Sequence, residues 1–155
     1  MLSRIIAAAL LTAACVDTSV DRVKLTTTID HVSLSVAQGT LVSTLSGGFD
    51  WVLDVGDLAS GDDVIAAAPS FQLAGGTGAA VVLDAVPSTS FPLTLKSGES
   101  LTVHFTLNDQ KSLAAADVTS VCAGPVQVVA SFRDTLGGDR ATSVDSDATT
   151  VAGCP

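Results

Sequence analysis

Turn-forming residues cluster through the chain at close intervals: Ser46-Gly47-Gly48, Ser60-Gly61-Asp62-Asp63, Gly75-Gly76-Thr77-Gly78, Pro87-Ser88 and Ser97-Gly98. Glycine, proline and aspartate at this density terminate strands and break helices, so each interval has room for one short element only. Val23, Leu25, Thr27 and Ile29 alternate in one register, and Val32, Leu34 and Val36 continue in the other. That switch predicts one strand with a bulge near Asp30-His31, or two abutting strands. Further strand candidates are residues 41–45, 49–55, 64–73, 79–86, 91–95, 100–107, 126–132 and 142–151. No helix of ten residues is expected, although one helical turn fits around residues 113–116. About nine short strands at regular spacing predict an all-β fold, an antiparallel two-sheet sandwich.

The strongest alternation is at residues 101–107, where Leu101, Val103, Phe105 and Leu107 should face the core and Thr102, His104 and Thr106 the solvent. With the preceding Phe91-Pro92-Leu93-Thr94-Leu95 and the Ser97-Gly98 turn, this stretch reads as a hairpin. It resembles the hairpin of immunoglobulin-like modules of the Hydin and major-sperm-protein type. The resemblance implies an immunoglobulin-like sandwich and implies no activity. Three features depart from that pattern: Ser97 stands in the usual proline position, the segment from Lys111 to Ala123 interrupts the expected continuation, and the chain has no tyrosine for a tyrosine corner.

The amino terminus carries an address. In Met1-Leu2-Ser3-Arg4, Arg4 is the only charge ahead of an apolar run from Ile5 to Leu11, which closes on Thr12-Ala13-Ala14-Cys15. This reads as an export signal. The ending resembles a bacterial lipoprotein signal, which implies cleavage before Cys15 and attachment of diacylglycerol to it; cleavage after Ala14 without lipid is the alternative. As a helix, residues 5–14 would rise about 15 Å, half the roughly 30 Å of a hydrocarbon core, so a membrane span is not expected. The expected organisation is a signal peptide at 1–14, a tether at 15–22 and a β-sandwich domain at 23–155.

Charge narrows the partners. The chain carries 7 basic and 16 acidic residues, a formal charge of −9, and loses Arg4 with the signal. Nucleic acid is not an expected partner, because affinity for phosphate backbones comes from clustered Lys and Arg. The surface would also be repelled by anionic headgroups, so membrane association is assigned to the lipid on Cys15. With Cys15 so used, Cys122 and Cys154 remain. In an oxidising compartment an even remainder is most simply one disulfide, and a hairpin turning at Leu136-Gly137-Gly138-Asp139 would bring the two together. Two free buried thiols are the alternative.

Several residues invite chemistry. Asp54, Asp57, Asp62 and Asp63 are weak calcium candidates, since Ca²⁺ gathers carboxylate and carbonyl oxygens, but their spacing lacks the Asp-x-Asp-x-Asp-Gly of a calcium loop and also fits an ordinary turn. Asp145 and Asp147, two apart on a strand candidate, would share one face. His31 and His104 are the only histidines, and zinc would need further His or Cys ligands. No Gly-x-Ser-x-Gly elbow occurs. Gly75-Gly76-Thr77-Gly78 lacks the lysine and following helix of a phosphate loop. Trp51 and Phe49, Phe71, Phe91, Phe105 and Phe132 read as core residues, with an exposed Trp51 as the feature a sugar-binding platform would require.

The functional expectation is a non-catalytic lipoprotein of the bacterial cell envelope, lipid-anchored and periplasmic or surface-exposed, serving as a binding, adhesive or structural module. Its expected partners are the membrane, through the lipid, and an envelope protein or glycan; no catalytic residue and no cofactor are implied. The alternatives are a carbohydrate-binding module and a metal-dependent envelope hydrolase built on the Asp54–Asp63 group.

Overall fold

The computed structural model describes residues 25–57, 63–75, 80–107 and 112–154. Cys15, the signal and tether segments, and Asp62 lie outside the described residues. The fold is all-β and antiparallel, as expected. One sheet orders β1 (Leu25–Gln38), β2 (Ser43–Val55), β8 (Ser100–Leu107) and β6 (Ala85–Pro87), with β9 (Ser112–Leu113) also on β2. The second orders β11 (Thr142–Asp145), β10 (Val126–Phe132), β4 (Ser70–Gly75) and β5 (Val81–Leu83). A two-stranded sheet pairs β3 (Val64–Ala66) with β7 (Leu93–Leu95). Among the described residues there is one helix, α1 (Ala115–Cys122); it starts two residues into the turn expected at 113–116, whose Leu113 belongs to β9, and runs for eight residues.

The core follows the period-2 pattern of a sheet with one buried face. Phe49, Trp51, Leu53 and Val55 of β2 and Val103, Phe105 and Leu107 of β8 point inward. They meet Phe71 and Leu73 of β4 and Val126, Val128, Ala130 and Phe132 of β10. The aromatic rings pack across the sheets: Phe71 lies 4.6 Å from Phe105, Phe49 4.7 Å from Phe71 and Trp51 5.0 Å from Phe132, all edge-to-face. Each such side chain contributes roughly 1.5–3 kcal/mol through burial. Trp51 is fully buried, and its Nε1 finds no acceptor among the described residues.

Four expected elements turn out differently. Ser46-Gly47-Gly48 is not a turn, because β2 runs unbroken through it. The carbonyl of Ser33 on β1 comes so close that a Cβ on Gly47 would stand 2.0 Å from it, and Gly47 has φ +135°. Here glycine marks a close backbone approach inside a strand. The single strand expected at 64–73 is two, β3 and β4, in different sheets, with Pro69 between them unable to donate to a ladder. The strand expected at 79–86 is also two: β5 belongs to the second sheet and β6 to the first, with Asp84 between them. Lastly, residues 91–107 do not form a hairpin. β7 pairs with β3, whereas the Lys96–Glu99 turn is caught by β2, with Val55 N–H donating to Glu99 O at 2.9 Å, and β8 docks beside β2.

At the carboxyl end the expected disulfide is present, with Cys122 and Cys154 Cα atoms 5.5 Å apart. β10 and β11 form the expected antiparallel pair, but the strand expected at 142–151 ends at Asp145. Asp134 organises the connection by accepting the N–H groups of Leu136 and Gly137 at 2.8 and 2.7 Å.

Candidate binding face

The expected bulge lies in β1, where the register against β2 shifts between Asp30 and Ser33 and His31 takes φ +52°. Regular alternation after the buried Ile29 and exposed Asp30 would send the next side chain into the core. A left-handed residue at the bulge turns it out instead, a conformation that costs an L-residue about 1–2 kcal/mol. His31 is therefore delivered to the solvent face of the sheet.

Two strands complete the arrangement. On β2, Asp50 points outward because Phe49 and Trp51 point in; on β8, His104 points outward because Val103 and Phe105 point in. Asp50 lies opposite His104 in the ladder and opposite Asp30 on the other side. One carboxylate then holds both imidazoles, with His104 Nδ1 2.7 Å from Oδ1 and His31 Nδ1 2.9 Å from Oδ2. The rings themselves stay exposed, 83% for His31 and 60% for His104, whereas Asp50 is 23% exposed. Gly48 leaves space for the ring beside it, since a Cβ there would meet His104 Cε1 at 3.4 Å and the Phe105 carbonyl at 2.7 Å.

The electrostatics follow from the contacts. The hydrogen bond from His104 holds the Asp50 carboxyl below the usual aspartate range, against the desolvation that raises it, and the bond from His31 adds to the lowering. An ionised carboxylate only accepts, so each Nδ1 carries the proton and each Nε2 is left outward as an acceptor when the ring is neutral and as a donor when it is protonated. Around the trio the face carries short polar side chains: Thr26, Thr28, Thr102 and Thr106 are exposed, and Thr28 Oγ1 donates to Asp30 at 3.1 Å. A notch of about 190 Å³ opens beside His31, between the bulge and Asp147, Ala148 and Thr149.

A carboxylate–imidazole pair is also half of a hydrolytic triad, which needs a nucleophile at the free Nε2. Ser88 is the near serine, and its Oγ accepts the backbone N–H of His104 at 3.1 Å rather than meeting the ring. Among the described residues, no group of three or more His, Cys, Asp or Glu is placed to hold a metal ion. The three calcium candidates among the described residues are not brought together: Asp54 ends the outer face of β2, Asp57 lies past its end near Gly98, and Asp63 is exposed before β3. Asp145 and Asp147 do not share a strand face, since β11 ends at Asp145 and Asp147 lines the notch. The burial of Trp51 removes the ring on which a sugar platform depended. Gly75 closes β4, and the rest of its glycine cluster lies outside the described residues.

Sequence reading placed His104 outward and His31 at the bulge but missed Asp50, whose outward position follows from the alternation of Phe49 and Trp51. Among the described residues no helix is long and apolar enough to cross a membrane. The molecule defined so far is an antiparallel β-sandwich with a histidine–aspartate–histidine trio on one outer face. Comparison with protein families, with characterised proteins and with solved structures finds no match.

Proposed function

We propose that this chain is a non-catalytic binding module of the bacterial cell envelope, tethered through lipid on Cys15 and engaging an envelope protein or glycan with the outer face of β1, β2 and β8. The observation that carries the binding face is the bulge. The register shift at the bulge returns Leu34 and Val36 to the core, and its left-handed position, which glycine would occupy at lower cost, holds a histidine turned to solvent; strained residues of this kind concentrate at functional sites. The trio supports the reading further, because Asp50 orients two rings toward solvent and fixes which nitrogen each offers. The disulfide agrees with an oxidising compartment outside the cytoplasm.

Two measurements test the two halves separately. The intact mass of the protein from the membrane fraction of its native host should equal residues 15–155 plus two or three acyl chains; a mass beginning at Met1 rejects the anchor. For the face, a photo-crosslinking residue at Thr102 in the native host should capture a partner that the same probe at Gln72, on the outer face of the second sheet, does not. Equal capture from both positions, or capture that survives His31→Asn and His104→Asn together, rejects the binding face.

A further inference from the structure

We propose that residues 147–154 form a releasable strap latched by the Cys122–Cys154 disulfide, and that the seat under it on β1 accepts the same segment from a second copy of this chain. The strap follows Ser146, whose N–H donates to Val128 O and whose Oγ accepts the Val128 N–H, both at 2.9 Å. Thr149 and Val126 then exchange two backbone bonds of 2.8 Å. From there the chain crosses to the first sheet, where Ala152 bridges Ser35 in parallel: Val36 N–H donates to Ala152 O at 2.8 Å and Ala152 N–H to Leu34 O at 2.9 Å. Past Thr149 the contacts include this short bridge, the buried Val151, a 3.5 Å contact from Gln38 Nε2 to Gly153 O, and Cys154, which packs against the core and carries the disulfide. Such a segment sits at the low end of local stability once its covalent fastening is gone.

The seat is selective for its own sequence. Val151 is buried, and Gly153 has φ +73° with its missing Cβ only 2.2 Å from the Val36 carbonyl, so the residue two after the buried valine must be glycine. The bulge interrupts β1 just before the seat, which shortens the edge open to an incoming strand. A second copy supplies the fitting segment by construction, the relation that underlies domain exchange.

Both sulfurs belong to partly exposed residues. The opening step needs a dithiol reductant: one thiolate attacks a sulfur of the bridge, its second thiol resolves the mixed disulfide, and Cys122 and Cys154 gain two electrons and two protons as the reductant becomes a disulfide. Reoxidation by a small-molecule disulfide, which takes up the two electrons and two protons of each bridge and becomes two thiols, joins Cys122 of one copy to Cys154 of the other in an exchanged pair.

The experiment uses the mature protein with dithiothreitol, followed by amide exchange and light scattering. Reduction should leave the β spectrum and Trp51 emission unchanged and raise exchange at Val36 and Ala152 about tenfold or more while Phe105 and Val128 stay protected. A concentration-dependent dimer should appear, and reoxidation at high concentration should trap it as a dimer that survives non-reducing electrophoresis. The variant C122S/C154S should behave as the reduced protein, and adding G153V should abolish its dimer. Unchanged exchange at Val36 and Ala152, a monomer at every concentration, or collapse of the whole fold on reduction would each overturn the proposal.

Discussion

The two faces of β2 obey opposite rules. Its inner face, Phe49, Trp51, Leu53 and Val55, is built from volume and buries almost every atom. Its outer face, Gly48, Asp50, Val52 and Asp54, is built from position, with the space above Gly48 and the charge of Asp50 serving two rings from neighbouring strands. A strand can carry a core and a site at once because alternation makes the two nearly independent. Stability should therefore be concentrated on one side and recognition on the other.

The largest effect should come from the inner face. Trp51→Ala should lower unfolding stability by about 3–5 kcal/mol in denaturant titration, the range for a large aromatic removed from a packed core; a loss below about 1 kcal/mol, the level of a surface substitution, would break the contrast. Next comes the covalent link between the strap and α1. It spans 32 residues, and in the chain-entropy model C122S/C154S should cost roughly 3 to 4 kcal/mol. An unchanged midpoint would show that the bridge does not constrain the unfolded chain.

Smaller effects belong to the outer face and sharpen the comparison. At φ +52° a glycine relieves strain that a β-branched residue worsens, so His31→Val should be less stable than His31→Gly by about 1–2 kcal/mol, although both remove the same hydrogen bond. Equal stabilities would mean that the backbone relaxes and the bulge carries no strain. The smallest effect should be that of Asp50→Asn, under about 1 kcal/mol, as for exposed ion pairs. Its sign is set by the lowered carboxyl: the contribution of Asp50 is present above the ordinary aspartate value of 3.8 and is lost as pH falls through the lower folded value. Urea midpoints should therefore show wild type and Asp50→Asn converging as pH drops below 3.8, and a gap that widens there would contradict the hydrogen-bond assignment.

Much of this was legible in the sequence where one residue type carries one meaning. Leu101, Val103, Phe105 and Leu107 announced β8, Val126 to Phe132 announced β10, and the register switch at Asp30-His31 announced the bulge. Legibility failed where a local signal depends on a distant neighbour. Gly47-Gly48 looks like a turn until the Ser33 carbonyl is seen against it. The breaks at Pro69 and Asp84 could be taken for irregularities, yet they are the points at which the chain changes sheets. The candidate site was harder still: His31, Asp50 and His104 are separated by 19 and 54 residues along the chain, and only the ladder registers bring them together. Each was individually visible as a surface residue, and the relation among them was not.

The parallel bridge between Ser35 and Ala152 has a mechanical consequence. β1 receives the chain from its amino-terminal segment and the last described residues lie along that same strand, so tension drawn between the two ends would load Val36–Ala152 and Ala152–Leu34 in shear, both bonds together. The Cys122–Cys154 cross-link lies on the tail side of those bonds, so while it is closed it shares the load with them, and a pull arriving at β1 would pass into the body of the sandwich rather than unravel it from its end.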